Sequence, residues 1–266
     1  MVTSQKYALI TGATSGIGLE LAKLFAKDEY NLVIVGRNQE ELEMAASQLK
    51  LGSNDVITIV KDLFNREEAF SLYDEIKTRN IEIDVLVNNA GQGLYGEFKD
   101  TDINRELNII DLNIAALTIL TKSFLQDMIR RNSGKILNLA SVASKLPGPW
   151  QSVYHGTKAY VLSFTEAIRE ELKDYENITV TALMPGATDT DFFNKAGMNE
   201  SKAVQDKDAL SNPADVAKDG YEALMAGKDK VVSGFKNKMQ MAMTAITPDS
   251  TVAHMMNEQQ KPVDRE

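Results

Sequence analysis

Tyr154 and Lys158 stand four residues apart, and two such side chains can together move a proton. On a helix this spacing places both on one face, about one turn apart. A lysine ammonium beside a tyrosine favours the phenolate, so we expect it to lower the pKa of Tyr154 from about 10 towards neutrality. A phenol tuned in this way exchanges protons with an alcohol or carbonyl oxygen near pH 7. The spacing is also common on exposed helix faces, so other parts of the chain must decide its meaning.

A hydroxyl group for the same substrate oxygen is available at Ser141. This serine directly follows an apolar run, 135–140, that is typical of a strand. At the end of that strand its hydroxyl could hold the oxygen that Tyr154 protonates. His155, next to the tyrosine, would project about 100° away on the helix, which favours a structural role for it.

A glycine-rich turn near the N-terminus indicates an anion site. The strand-like run 7–10 leads into a turn that holds Gly12, Gly16 and Gly18, and a helical pattern follows. Glycine lets the backbone approach a pyrophosphate, and the free amides of a helix N-terminus bind the anion. The spacing Gly-x-x-x-Gly-x-Gly differs from the commonest dinucleotide motif, Gly-x-Gly-x-x-Gly, and a turn without a ligand is the alternative.

Taken together, these motifs resemble the short-chain dehydrogenase/reductase family, in its single-domain type. The matching elements lie between Tyr7 and about Ser233, and they follow the family's order. They are Thr11-Gly12-Ala13-Thr14-Ser15-Gly16-Ile17-Gly18, Asp62-Leu63, Asn88-Asn89-Ala90-Gly91, Asn113, Ser141, Tyr154 with Lys158, and Pro185-Gly186.

The resemblance implies hydride transfer between a nicotinamide and a carbonyl or alcohol carbon, and it implies residue roles. Tyr154 is the expected proton donor and acceptor, and Lys158 is expected to hold the nicotinamide ribose as well. Ser141 is expected to stabilise the substrate oxygen, and Asn113 to hold a water that links Lys158 to solvent. The expected cofactor-binding residues are Gly12, Thr14, Ser15, Gly16, Ile17, Gly18, Arg37, Asp62, Leu63, Asn89, Ala90, Gly91, Tyr154, Lys158, Pro185, Gly186 and Thr188.

The end of the second strand predicts which cofactor is used. Relatives specific for NAD usually carry an acidic residue there, which accepts hydrogen bonds from the ribose hydroxyls. Here the strand ends in Gly36 and Arg37, and Glu40 and Glu41 follow only on the next helix. Glycine leaves room for a 2′-phosphate, and a guanidinium offers a planar fork of donors to it. We therefore expect NADP(H); the alternative is that Arg37 only stacks on adenine.

Composition excludes several other classes of function. The net charge of −9 and pI near 4.9 argue against nucleic acid, whose phosphates would be repelled. The absence of cysteine excludes disulfides and thiolate metal sites, and two histidines cannot by themselves form a typical zinc site, so no metal is expected. The longest apolar runs have strand length, and the chain enters its first strand within a few residues. We therefore expect no membrane span, no signal peptide and a cytoplasmic location.

Strand and helix patterns alternate, which predicts an α/β fold: a single-domain, doubly wound (Rossmann) parallel sheet of about seven strands with helices on both faces. The expected strands are 6–11, 32–36, 56–61, 84–89, 135–140, 178–184 and 230–233. The expected helices are 16–28, 38–50, 65–79, 102–131, 151–174 and 212–226. The stretch 188–212 breaks the alternation and is expected to be a long functional loop.

The family pattern stops near the C-terminus, which divides the chain into a catalytic domain, 1–234, and an extension, 235–266. Residues Phe235, Met239, Met243 and Ile246 have helical spacing, and Pro248 is expected to open a second helix. We expect this methionine-rich extension to pack on the domain or on a sister subunit; an adaptable binding surface or a membrane surface is the alternative. The helices near 102–131 and 151–174 are those through which relatives pair, so we expect a homotetramer or a homodimer.

The function expected from the sequence is NADP-dependent reduction of a small-molecule carbonyl compound, or oxidation of the corresponding alcohol. One alternative is a reductase of 3-oxoacyl groups on acyl carrier protein, although that acidic partner suits a chain of charge −9 less well. A regulator that senses NADP without turnover is the alternative from another class, but such proteins usually lose the tyrosine or the lysine. Residues Gln92, Leu94, Trp150 and Phe192 are expected to form an apolar wall of the substrate pocket.

Overall fold

The protein is built around one parallel sheet, seen in a computed structural model that describes residues 5–52, 54–206 and 209–263. Its strands are β1 (Tyr7–Thr11), β2 (Asn31–Gly36), β3 (Val56–Val60), β4 (Val85–Asn88), β5 (Gly134–Leu139), β6 (Ile178–Met184) and β7 (Lys230–Val232). Within the described ranges they form a seven-stranded sheet in the order β3-β2-β1-β4-β5-β6-β7. The strand order reverses between β1 and β4, and in such sheets a ligand cleft lies at the carboxyl ends of the strands at this point.

Helices connect the strands and cover both faces of the sheet. They are α1 (Gly16–Lys27), α2 (Gln39–Leu49), α3 (Arg66–Thr78), α4 (Ile103–Ile110), α5 (Leu117–Arg131), α6 (Ser152–Glu171), α7 (Phe192–Ala196), α8 (Pro213–Met225), α9 (Phe235–Thr244) and α10 (Asp249–Gln260). Short 3₁₀ helices occupy Val142–Lys145 and Lys202–Val204. Because helices lie on both faces, central strands such as β2 are buried along almost their whole length.

The predicted parallel sheet and its alternation with helices are confirmed. Two details differ from the expectation. The helix expected at 102–131 runs without a break from Ile103 to Arg131. Its middle part, Asp111–Ala116, is π-helical and lies between the α-helical parts α4 and α5. The stretch 188–212 is not a plain loop, since it contains α7 and the 3₁₀ helix Lys202–Val204, while residues 207–208 lie outside the described part.

The C-terminal extension forms α9 and α10, close to the helices expected there. Met241 of α9 packs against the core cluster that includes Leu117 and Val161, and Val252 of α10 is buried. Phe235 and Ile246 remain exposed at the two ends of the α9 segment. The proposed boundary at residue 234 stays a prediction, and residues 1–4 and 264–266 lie outside the described ranges.

One helix among the described residues is long and apolar enough to cross a membrane by length and composition alone. It is the continuous helix Ile103–Arg131 of 29 residues, whose most apolar stretch of 18 residues has a mean hydropathy of 1.3. Of the most apolar stretch of this helix, 44% is buried inside the protein. Its residues Leu120, Phe124 and Met128 belong to the same core cluster as residues of the strands. These contacts are typical of a core helix. The sequence analysis considered only unbroken apolar runs and overlooked this helix, because its apolar residues are spread along it. The expectation that no segment spans a membrane stays a prediction.

Candidate active site

The glycine turn after β1 is held in a conformation that suits an anion. Gly12 and Gly16 adopt left-handed backbone angles, with φ of 64° and 56°, which other residues rarely adopt. The Asn89 side chain donates to the carbonyls of Thr11 and Gly12, at 2.9 Å each, and ties the turn to the end of β4. A Cβ on Gly18 would lie 2.3 Å from the Asn89 amide nitrogen, so no larger residue fits there.

The first turn of α1 keeps its amides available. Ser15 stands at the N-cap, yet its side chain makes no capping hydrogen bond to the helix. The helix N-terminus therefore offers backbone donors and a partial positive charge at the mouth of the cleft. This arrangement fits the pyrophosphate of a dinucleotide.

The ends of β2 and β3 form the part of the cleft where the sequence places the adenosine. The Arg37 guanidinium lies 4.8 Å from the centre of the Phe64 ring. Asn38 caps α2 and accepts hydrogen bonds from the amides of Glu40 and Glu41, at 2.8 and 3.2 Å. Both carboxylates therefore belong to the first turn of α2, and the end of β2 carries no acidic side chain.

The two asparagines at the end of β4 make different contacts. Asn88 is buried and donates to Thr121 and Asn138, at 2.9 Å each, so it links β4 to α5 and β5. Asn89 faces the opposite way and holds the glycine turn. Ala90 and Gly91 follow and border the cleft.

The proton-transfer residues converge where β5 and α6 meet the cleft. Tyr154 and Lys158 share one face of α6, and the lysine Nζ lies 5.8 Å from the tyrosine ring centre. Lys158 donates to the carbonyl of Leu139 at 2.6 Å, at the end of β5. Ser141 caps the 3₁₀ helix Val142–Lys145, and its hydroxyl donates to the carbonyl of Pro185 at 3.3 Å.

The electrostatics of this group correct one expectation from the sequence. Burial raises the pKa of Tyr154 to about 12, and hydrogen bonding with Ser141 opposes that shift only in part. Burial also lowers the pKa of Lys158 to about 8. The predicted depression of the tyrosine pKa is therefore wrong for the protein alone, because loss of hydration destabilises the phenolate more than its neighbours stabilise it.

Asn113 lies in the π-helical turn between α4 and α5, a kind of irregularity that often occurs at functional sites. Its amide nitrogen donates to the Gln92 carbonyl at 2.9 Å and to the Thr157 hydroxyl at 3.0 Å, and its Oδ1 accepts from the Gln92 amide at 3.0 Å. Asn113 therefore fixes the segment after β4 against α6. Its expected role in holding a water stays a prediction.

A single cavity of about 1640 Å³ joins these parts. Every residue of the predicted cofactor-binding set borders it, and so does Ser141, whereas Asn113 is not among its lining residues. Of the four expected wall residues, Gln92 and Phe192 border the cavity, but Leu94 and Trp150 are not among the lining residues. Trp150 instead stacks on Tyr95, with ring centres 5.6 Å apart.

The structure also adds residues that the sequence did not indicate. Gln151 borders the cavity beside Tyr154, and Gln260, near the end of α10, borders it as well. Asn237 of α9 packs so closely on Gly186 that a Cβ there would lie 2.4 Å from its side-chain oxygen. A single glutamine or asparagine far along the chain gives no periodic or spacing signal, so these contacts could not be found from the sequence.

The parallel sheet, the glycine turn after its first strand, and the serine, tyrosine and lysine at the cleft define a dinucleotide-binding oxidoreductase. The family model described as short chain dehydrogenase matches residues 6–201. The protein therefore belongs to the short chain dehydrogenase family and is an oxidoreductase of that family.

Individual relatives agree with this assignment. The ketoacyl reductase HetN of Nostoc sp. is 29% identical over 253 residues, which cover 92% of this chain and 86% of HetN. A short-chain dehydrogenase from Sphingobium yanoikuyae, solved in complex with NADPH, has a TM-score of 0.80 at 24% identity and covers 92% of this chain and 97% of its own. A short chain dehydrogenase/reductase from Burkholderia phymatum, solved in complex with NAD, has a TM-score of 0.80 at 22% identity. The match covers 99% of this chain and 98% of the Burkholderia chain. At these identities the two structures support the fold alone.

Proposed function

We propose that the protein is an NADP(H)-dependent reductase of carbonyl compounds that also oxidises the corresponding secondary alcohols. The observation that carries this proposal is the convergence of Ser141, Tyr154 and Lys158 on the cavity that begins at the glycine turn. A proton donor and an anion-binding turn in one cleft are what hydride transfer to a carbonyl requires of the protein.

The chain offers a place for each part of the cofactor. The glycine turn and the amides of α1 would bind the pyrophosphate, Arg37 would bind the 2′-phosphate, and Lys158 would bind the nicotinamide ribose. When bound, the reduced nicotinamide supplies the hydride that the carbonyl carbon receives. Pro185 and Gly186 border the cavity near the catalytic group and would contact the nicotinamide.

The side chains around the carbonyl supply the proton. With a pKa of about 12, Tyr154 keeps its proton at neutral pH and can donate it to the developing alkoxide. The Ser141 hydroxyl would hold the same oxygen. Loss of the proton leaves a phenolate, and the nearby Lys158 ammonium stabilises that negative charge more than it stabilises the neutral phenol.

The pKa of Lys158 sets an expected pH dependence. Below its pKa of about 8 the side chain is charged, and the charge is lost as the pH rises through that value. We therefore expect kcat/KM for ketone reduction to be level below about pH 8 and to fall above it, while Tyr154, with its pKa of about 12, still carries its proton. Steady-state rates between pH 6 and 10 test this. A profile that stays level up to pH 10 would contradict the role of the ammonium.

The proposal as a whole is tested by following NADPH oxidation with a panel of ketones and aldehydes of different size. The expected result is turnover of at least one apolar ketone, with loss of that turnover in Lys158→Met. Binding of NADPH should also weaken in this variant, because the same ammonium would bind the nicotinamide ribose and stabilise the Tyr154 phenolate. If the purified protein binds NADPH but reduces no carbonyl compound in the panel, the reductase proposal is wrong and the regulator alternative gains support.

Reduction of a 3-oxoacyl group on acyl carrier protein is the second candidate. HetN is named a ketoacyl reductase, and the lysines that border the cavity include Lys195, Lys202 and Lys236. These charges would suit an acidic carrier protein, although Lys195 lies 3.1 Å from Asp191 and is partly neutralised by it. Kinetics with a 3-oxoacyl group bound to acyl carrier protein, and with the same acyl group on a short pantetheine thioester, distinguish this candidate from a reductase of free carbonyl compounds. A KM at least about tenfold lower for the carrier-bound form would favour this candidate.

A homo-oligomer in the cytoplasm is part of the proposal. On α4, Ile103 and Leu107 are 58% and 50% exposed, and Phe98 nearby is 59% exposed. Large apolar side chains exposed together on one surface often mark an interface between subunits. We expect light scattering to give the mass of a dimer or a tetramer. A stable monomer at micromolar concentration would contradict this.

A further inference from the structure

The solvent-facing side of α9 consists of apolar side chains and lysines. Between residues 235 and 246, every residue that is exposed is either apolar or a lysine. The large apolar ones form what we call the apolar stripe: Phe235, Met239, Met243 and Ile246, each at least 50% exposed. A surface helix of a globular protein normally has the opposite polarity, with its apolar side towards the core. Nothing in the described part of the protein covers the stripe.

The other side of α9 is attached to the domain. Met241 packs against a core cluster, and Asn237 packs on Gly186 and donates to the Ser233 carbonyl at 2.7 Å. These contacts hold the helix in one orientation. The apolar stripe is therefore presented outwards by a helix that the domain fixes in place.

A lysine lies on each side of the apolar stripe. At about 100° per residue, the stripe members inside α9 span an arc of about 80°, with Lys236 beyond one edge and Lys238 beyond the other. Neither lysine forms an ion pair among the described residues. Lys145 is also exposed, in the 3₁₀ helix that contacts α9. The chain has a net charge of −9, but residues 235–248 contain no acidic residue.

An apolar stripe between lysines suits a helix that lies in the surface of a lipid bilayer. The apolar side chains enter the boundary between headgroups and acyl chains, and the lysine ammonium groups reach anionic headgroups. The acidic remainder of the chain does not prevent this, because salt screens exposed charges beyond about 8 Å at physiological ionic strength. With ten residues, α9 is too short to cross the bilayer.

A second copy of the chain fits this surface less well. In a twofold contact the same surface meets itself, so each α9 would bring two lysines and no carboxylate of its own to the other. An anionic bilayer supplies negative charge along both edges of the stripe at once. Charge complementarity therefore favours the bilayer.

The apolar stripe begins at an opening of the cavity. Phe235 is 75% exposed and also borders the cavity, and so does Lys236 beside it. The cavity wall also includes Phe192 and Met256. The centre of the Phe192 ring is 5.2 Å from that of Tyr154. A helix docked through the stripe would therefore place an opening of the cavity, with apolar side chains in its wall, next to the lipid.

We propose that α9 docks in the surface of an anionic lipid bilayer, and that the enzyme reduces apolar carbonyl compounds dissolved there. Docking is independent of the proposed function, whereas the substrate class rests on it. Because the stripe and the cavity meet at Phe235, a compound that leaves the bilayer at this point enters the cavity without first dissolving in water.

Docking is tested by flotation of the purified protein with lipid vesicles in a density gradient. We expect the protein to float with vesicles of phosphatidylglycerol and phosphatidylcholine in equal parts, and not with phosphatidylcholine alone. Added salt should weaken binding to the anionic vesicles. Lys236→Gln and Lys238→Gln should each weaken it by about fivefold, since each removes one charge near the surface. A wild-type protein that does not float with anionic vesicles would overturn the proposal.

Matched variants separate the stripe from general surface effects. Met239 and Met243 are not among the residues that line the cavity, and the double variant Met239→Gln/Met243→Gln should no longer float. Helix α2 supplies the controls, since Met44 is 66% exposed on it and Lys50 follows its last turn. Met44→Gln and Lys50→Gln should float like the wild type. If the double variant floats like the wild type but has a smaller mass by light scattering, the stripe is a contact between subunits and the proposal is wrong.

The substrate class is tested by NADPH oxidation with a long-chain methyl ketone dissolved in anionic vesicles and with a short, water-soluble ketone. We expect the double variant to lose most of the wild-type rate on the vesicle-bound ketone and to keep the wild-type rate on the soluble one. Equal rates of the two proteins on the vesicle-bound ketone, with only the wild type floating, would overturn the substrate class. If neither ketone is reduced, the proposed function fails, and flotation still decides whether α9 docks.

Discussion

Replacing Tyr154 by phenylalanine is expected to slow carbonyl reduction by roughly 10²–10⁴-fold, the usual contribution of a general acid. The variant removes only the phenol oxygen. Its ring keeps its contact with Phe192, whose centre lies 5.2 Å away, and Lys158 keeps its hydrogen bond to Leu139. Because the groups expected to hold the cofactor remain in place, we expect NADPH to bind within a few-fold of its wild-type affinity.

Steady-state kinetics and a fluorescence titration with NADPH measure the two effects separately. Tyr160→Phe is a matched control, since Tyr160 lies on the same helix, is 37% exposed and bonds to Thr118 away from the cleft. Its turnover should equal that of the wild type. Turnover of Tyr154→Phe within a few-fold of the wild type would remove this residue from the mechanism.

The sheet and most of its helices were predictable because their signals are local. Residues 32–35 of strand β2 form an unbroken apolar run, which is typical of a strand buried on both faces. Asn38, Asn65 and Asn212 each accept hydrogen bonds from amides in the first turn of the helix that follows, so each start was marked by a capping residue. The site residues after β1, β4 and β5 then meet because the carboxyl ends of parallel strands share one edge of the sheet.

Other features depend on contacts between distant parts of the chain. The sequence shows that Lys158 is one turn from Tyr154, but it does not show how far both groups are removed from water, and burial decides the direction of the tyrosine pKa. The π-helical turn that carries Asn113 has no recognisable residue pattern. Gln260 bonds to Gln151, more than a hundred residues earlier, and only the folded protein brings them together.

The wild-type protein is expected to use NADP(H) in preference to NAD(H) by at least about tenfold in kcat/KM, or roughly 1.4 kcal/mol. The reason lies at the end of β2, where Gly36 and Arg37 border the cavity and the next carboxylates along the chain, Glu40 and Glu41, belong to α2. Arg37 lies 4.8 Å from the Phe64 ring centre, which holds its guanidinium close to the expected adenosine site. A planar guanidinium can bind a 2′-phosphate with two parallel hydrogen bonds.

Gly36→Asp is expected to reverse this preference, because the new carboxylate would repel the 2′-phosphate and accept hydrogen bonds from the free ribose hydroxyls of NAD. A Cβ at this position would lie 3.0 Å from Thr14 and 3.3 Å from Leu42, so any side chain requires a small shift of its neighbours. Gly36→Ala introduces the same Cβ without the charge and is the matched control. It should lower the rates with both cofactors alike and keep the preference for NADP. Equal kcat/KM with both cofactors in the wild-type protein, or a reversal in Gly36→Ala as large as that in Gly36→Asp, would show that charge at the end of β2 does not select the cofactor.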